Sequence, residues 1–144
     1  MATKQAGLKA GFAKVDITPR VGVEMEGFGP FLNRRGLAVR DRLWARAMAL
    51  ELGTQRLCII SCDLIYFPAE IIPAVQAGIR QATGVAPEGL MLHGIHTHSG
   101  PAVGRCNGWG VVDEPYLRVL PHRIIRAAAE AFGRLQPAAL SHAV

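Results

Sequence analysis

Cysteine is scarce in this chain of 144 residues: there are three, Cys58, Cys62 and Cys106, and no Cys-x-x-Cys spacing. An odd count without paired spacing argues against a disulfide framework. Cys58 and Cys62 lie in an apolar run and are expected to be buried small hydrophobes, while Cys106 lies in a Gly-rich loop and is expected to be accessible. Aromatic residues make up only 6% of the chain and do not interleave with its basic run at 34–46, so the net charge of +5 reads as a solvated surface, not a nucleic-acid interface. No segment is long and apolar enough to span a membrane. The opening Met-Ala-Thr-Lys-Gln-Ala-Gly lacks the apolar core of a signal peptide, and a cytoplasmic location is expected. Internal repeats, low-complexity tracts and charge blocks are missing too. Gly94, Gly100 and Gly104 lead into no Gly-Lys-Ser/Thr, which argues against a nucleotide phosphate loop.

What is present is the composition of one folded domain. Half of the residues are hydrophobic and 19% are charged, enough apolar surface for a real core at this length. Residues 11–18 alternate apolar and polar and read as a strand ended by Pro19. Residues 20–42, rich in Gly, Pro, Asn and Arg, read as a long loop of the kind that carries binding residues. Residues 43–52 and 56–62 flank Gly53-Thr54-Gln55 and read as a hairpin, although the first member taken alone also suits a helix. Ile71, Ile72, Val75 and Ile79 follow helical spacing after Pro68, with Thr83-Gly84 as the stop. Residues 89–95 are the next strand. Pro115 opens a second helix with Leu117, Leu120, Ile124, Ala128 and Phe132 as its buried stripe, and Pro121 is expected to kink or split it. Gln136-Pro137 stops that helix and residues 138–144 begin another strand. The order β, ββ, α, β, α, β predicts an α/β fold, a mixed sheet with flanking helices. Because a new strand starts at the end of the chain, residues 1–144 are expected to form part of a larger layered α/β domain, incomplete at its C-terminal end.

The densest chemistry is His96-Thr97-His98-Ser99-Gly100-Pro101. On extended chain, side chains at i and i+2 share a face, so two imidazoles at a strand end can share a metal or a substrate. Neutral imidazole is a common zinc ligand, and a catalytic zinc needs about three protein ligands and an open position. The plain alternative is a pair of strand-end histidines that only hydrogen-bond. Asp63, at the end of another strand, either orients a histidine through its second ring nitrogen or caps the following helix. In open α/β sheets ligands gather at the carboxyl ends of strands, where Asp63, His96 and His98 would converge. His93 falls on the opposite face by alternation, and His122 and His142 carry no motif. Ser99 has no Gly-x-Ser-x-Gly elbow around it and is discounted as a nucleophile. Trp109 either paves a substrate pocket or seals an edge of the core.

The six-residue motif after an apolar strand resembles the neutral/alkaline ceramidase family in its N-terminal catalytic domain. The resemblance extends to Gly11-Phe12-Ala13-Lys14-Val15-Asp16-Ile17-Thr18-Pro19, to Met25-Glu26-Gly27-Phe28-Gly29, to Asp41-Arg42-Leu43-Trp44-Ala45-Arg46-Ala47, with Arg42 where the family has Pro, and to Ser61-Cys62-Asp63-Leu64. It implies a zinc-dependent hydrolase that cleaves an amide, such as the N-acyl bond of a ceramide-like lipid, or a related ester or lactone. By that resemblance His96 binds Zn2+ and His98 stands beside the metal as acid or oxyanion partner. Asp63 is then a supporting catalytic residue, and the loops holding Gly27, Phe28 and Trp109 shape the pocket for a small-molecule or lipid-like substrate. The family's other ligands (a further His, a Glu and a Tyr) lie later in its sequence, so a second chain or a further segment is expected to complete the site. The rival expectation is a non-catalytic α/β module.

Overall fold

The computed structural model describes residues 7–29, 33–105 and 108–141. The chain runs β1 (Lys9–Asp16), β2 (Trp44–Leu52), β3 (Gln55–Cys62), α1 (Ile72–Thr83), β4 (Leu90–Gly94), α2 (Glu114–Phe132) and β5 (Gln136–Pro137), with short 3-10 turns before α1 and β4. The sheet order is β4-β3-β2-β1-β5. Neighbours pair antiparallel except β3 and β4, which are parallel and joined through α1. This is the expected mixed α/β sheet.

The helical alternative for residues 43–52 loses to tertiary pairing. Ala45, Ala47 and Ala49 are buried, while Trp44, Arg46 and Met48 between them are not, which is the two-residue period of a strand. Small alanines on that face let α2 lie close to the sheet. Leu117, Leu120, Ile124 and Ala128 are buried as the spacing predicts, joined by Tyr116, Ala127 and Ala131, and meet Val75 and Ile79 of α1 in one core, whereas Phe132 is only partly buried. The opposite sheet face carries exposed Phe12, Leu57 and Met91. Pro121 does not split α2, which is continuous over 19 residues. A proline removes one intrahelical bond, and the helix's long buried face outweighs that loss here. Asp113 caps α2 by accepting the Tyr116 N–H at 3.0 Å, and α1 ends on Gly84 in the left-handed conformation.

One boundary moves. The final strand was expected over 138–144, with Gln136-Pro137 as a stop; instead Gln136 and Pro137 themselves pair with Ala10 and Lys9, and residues 142–144 lie outside the described ones. Proline is tolerated there because β5 is an edge strand.

Cys58 and Cys62 are buried as expected, and Cys106 lies outside the described residues. Burial pushes the Cys58 thiol up to about 11 and the Cys62 thiol up to about 12, the latter helped by the Asp63 carboxylate. At pH 8 iodoacetamide is therefore expected to leave both unmodified in the native protein and to label both in urea, as read by peptide mass mapping. Rapid native labelling of either would contradict this core.

Candidate active site

The segments that leave β3 and β4 stay joined beyond the regular strands. Ile95 N–H donates to the Cys62 carbonyl at 3.1 Å, and His96 N–H donates to the Leu64 carbonyl at 3.0 Å. β4 ends at Gly94, so His96 is not on a strand, and its φ of 66° is left-handed. Such a φ is uncommon for a side chain with a Cβ and costs on the order of 1 kcal/mol or more. The His96 ring fixes it in place: Nδ1 lies 2.9 Å from the Ile65 carbonyl oxygen. A carbonyl only accepts, so Nδ1 carries a proton, and in the neutral ring Nε2 keeps its lone pair.

The same-face argument for the two histidines fails in its premise, since the chain is not extended at His96, but the rings do meet. The His96 and His98 centroids are 5.0 Å apart at an interplanar angle of 71°. The Phe28 and His98 rings meet in a T-shaped contact at 5.1 Å and 86°, and the Arg34 guanidinium carbon sits over Phe28 at 4.6 Å. Gly27 makes this approach possible. At φ 118°, a Cβ there would fall 2.7 Å from His98 Cγ.

A short segment holds these parts together. Glu24 bridges to Arg35 and Met25 to Pro101, so residues 24–26 lie between the 34–36 segment and the exit of the histidine motif. Arg34 Nη2 donates to the carbonyls of Glu26 and His98, both at 2.9 Å. Glu26 is only 1% exposed. Its Oε1 accepts the Tyr66 hydroxyl at 2.7 Å and its Oε2 accepts the Val103 N–H at 3.0 Å. Glu24 accepts the Val111 N–H at 2.9 Å and pairs with Arg35.

Among known structures, the backbone is similar to neutral ceramidase from Pseudomonas aeruginosa, with a TM-score of 0.79 at 27% identity over 92% of this chain. A ceramidase complexed with C2 gives a TM-score of 0.75 at 27% identity over the same share. The chain folds as a ceramidase-like partial domain. It spans 22% of the length of each of those two chains. No family model matches the chain, and no curated protein does.

Within this ceramidase-like domain, the structure brings His96, His98, Gly27 and Phe28 together. Asp63 is elsewhere in its bonding. Its carboxylate accepts the Trp44 N–H at 2.9 Å and pairs with the Arg46 guanidinium. It orients no histidine, because the His96 ring nitrogen is held by the Ile65 carbonyl instead. Nor does it cap α1, whose start has no side-chain cap. Asp63 ties the beginning of β2 to the end of β3. Trp109 is 40% exposed on a loop fastened to Glu24 through Val111, and the ring contacts of His98 are with Phe28 and His96. His93 stands on the open sheet face, 3.4 Å from Ser61 Oγ, and His122 is exposed. His142 lies outside the described residues.

Glu26, Tyr66 and Arg34 are site residues that motif reading passes over. The available signal was weak: two carboxylates in a loop, separated by Met25 and preceded by Val23, with apolar company that points inward. A cavity of about 540 Å³ adjoins the motif on its Thr97 and Ser99 side, with Val23, Met25 and Leu43 in its wall. Neither His96 nor His98 is among its lining residues.

Among the described residues no three His, Cys, Asp or Glu side chains gather with metal-ligand spacing. His96 Nε2 is free of the carbonyl that holds Nδ1, and a carbonyl-anchored second nitrogen is the usual arrangement of a ligating imidazole.

Proposed function

We propose that this domain is part of a metal-dependent hydrolase that cleaves an amide of the N-acyl type, or a related ester or lactone. The observation that carries this reading is the His96 ring, oriented by the Ile65 carbonyl and set 5.0 Å from His98 in a fold shared with ceramidases. Zn2+ is the ion that this chemistry suits, with His96 Nε2 as its ligand. When bound, zinc polarises a carbonyl and makes water a better nucleophile near neutral pH.

The chain's own residues do the rest. His98 stands beside that position and can hold or pass a proton at its ring nitrogen as charge develops on the reacting oxygen. Phe28 and Gly27 fix the His98 ring, one by T-shaped contact and the other by leaving room. Ser99 donates its backbone N–H to Thr97 Oγ1 at 3.2 Å and is given no chemical role. A catalytic zinc takes about three protein ligands, and the described residues supply fewer. The proposal therefore includes a second chain, or a further segment, that completes the metal site over a small-molecule or lipid-like substrate.

Metal analysis of the purified protein tests the assignment. Zinc is expected to bind and to be lost in His96→Ala but kept in Ser99→Ala, with release of a fatty acid from a short-chain N-acyl substrate falling alongside. Zinc retention unchanged in His96→Ala would remove the metal assignment. Native mass spectrometry reads whether the zinc-loaded species contains one chain or more.

A further inference from the structure

We infer that Arg34 recognises a carboxylate on the substrate, so that the hydrolase prefers N-acylated amino acids, amides whose amine half ends in a free carboxylate. The inference rests on the hydrolase reading of the same site.

The argument starts from charge. Arg34 is partly buried, and a guanidinium is ionised at every working pH. All eleven Asp and Glu side chains lie among the described residues, and none forms an ion pair with Arg34. The three nearest in sequence serve other donors: Asp41 takes Arg40, Glu24 takes Arg35 and the Val111 N–H, and Glu26 takes Tyr66 and the Val103 N–H. Among the described residues Arg34 donates only to neutral acceptors, the two carbonyls and, at a long 3.9 Å, the Met25 sulfur. Those bonds orient the guanidinium without cancelling its charge. A partly desolvated and uncompensated cation favours an anion beside it.

Position then selects the ligand. Arg34 is bonded to the carbonyl of His98 and sits over Phe28, whose ring makes a T-shaped contact with the His98 ring. An anion held there lies one phenyl ring from the imidazole pair. Nη2 is engaged by both carbonyls, while Nη1 and Nε keep N–H groups that can each donate singly to the oxygen of an anion. A phosphate dianion would call for a second free cation, and the adjacent Arg35 is already paired with Glu24. In the reaction, water adds its hydroxyl to the acyl carbon and the C–N bond breaks. The amino nitrogen takes the proton, giving a fatty acid and a free amino acid.

The test uses the full chain, in whatever assembly it forms, and two matched probes: N-octanoylglycine and the neutral N-octanoylglycinamide. Octanoate release is measured for each. The wild type is expected to favour the acid by roughly tenfold or more in kcat/KM, the scale of a charge-assisted hydrogen bond. Arg34→Gln keeps an amide donor for the carbonyls but carries no charge, and it is expected to bring that ratio to about one. A purely structural Arg34 would lower both substrates alike and leave the ratio unchanged, which would overturn the inference. So would equal rates on both probes in the wild type. If neither probe is cleaved, the hydrolase reading fails by itself, and titration of the His98 imidazole resonances with N-octanoylglycine decides the inference. Saturable shifts lost in Arg34→Gln support it, and no shifts overturn it.

Discussion

Replacing Gly27 with alanine is expected to displace the His98 ring and lower hydrolysis by roughly a hundredfold while the chain still folds. The new Cβ would meet His98 at three atoms, Cγ at 2.7 Å, Cβ at 2.9 Å and Cα at 3.0 Å. Contacts this short involve the backbone of the motif as well as its ring, so a rotamer change of His98 does not relieve them. A displacement near 1 Å of a group that works on the reacting atoms costs on the order of a hundredfold in rate. Overpacking of this kind costs about 1–3 kcal/mol, and a β-carbon at φ 118° adds a similar amount. A domain of ordinary stability survives that. Gly29 supplies the control. It also has a positive φ, 60°, but a Cβ there meets nothing within 4 Å. Gly29→Ala is therefore expected to cost only backbone strain and to leave His98 alone. The measurement is the His98 imidazole resonance together with turnover. A wild-type His98 signal in Gly27→Ala would show that the loop yields instead, and that Gly27 does not position the ring.

The fold was legible because its determinants are local. Alternation in β1 and β3, the Gly53 turn and the stripe of α2 each need only nearby residues to be read. The helix-like composition of residues 43–52 was ambiguous, and it was resolved by pairing with strands on both sides. The site was half legible. His96, His98, Gly27 and Phe28 were singled out and do meet. Their arrangement followed from something no spacing rule carries: the left-handed turn at His96, held by a carbonyl 31 residues earlier in the chain. Asp63 was misplaced for the same reason. A carboxylate at a strand end suits a histidine, a helix cap or an arginine equally well in sequence. Only the register that sets Arg46 beside β3 decides for the arginine. Arg34 and Glu26 were missed because the bonds that place them, to the His98 carbonyl and to the Val103 N–H and Tyr66 hydroxyl, join segments far apart in the chain and leave no local pattern.

Glu26→Ala is expected to be the most destabilising single change in the site, lowering the melting temperature by on the order of 10 °C. The carboxylate is buried and joins three segments: its own loop, the β3 exit through Tyr66, and the motif exit through Val103. Truncation removes the acceptor of the Val103 N–H inside the protein, which costs about 1–3 kcal/mol, and it opens a cavity that adds to the loss. At roughly 2–4 °C per kcal/mol for a chain of this size, that gives the expected shift. Glu26→Gln separates the bonds from the charge. The amide oxygen still accepts from Val103, and its nitrogen can donate to the Tyr66 oxygen, so most of the stability should return. Tyr66 also lies next to Ile65, whose carbonyl fixes the His96 ring, so the clamp reaches the proposed metal position through one residue. Thermal unfolding of both variants, with a Glu26→Gln/Tyr66→Phe cycle, measures the coupling. A wild-type melting temperature in Glu26→Ala, or a glutamine variant as weak as the alanine one, would show that the segments are held by their backbone bridges instead. A positive coupling above about 0.5 kcal/mol would instead place the Glu26–Tyr66 bond among the interactions that hold the β3 exit against the loop of Gly27 and Phe28.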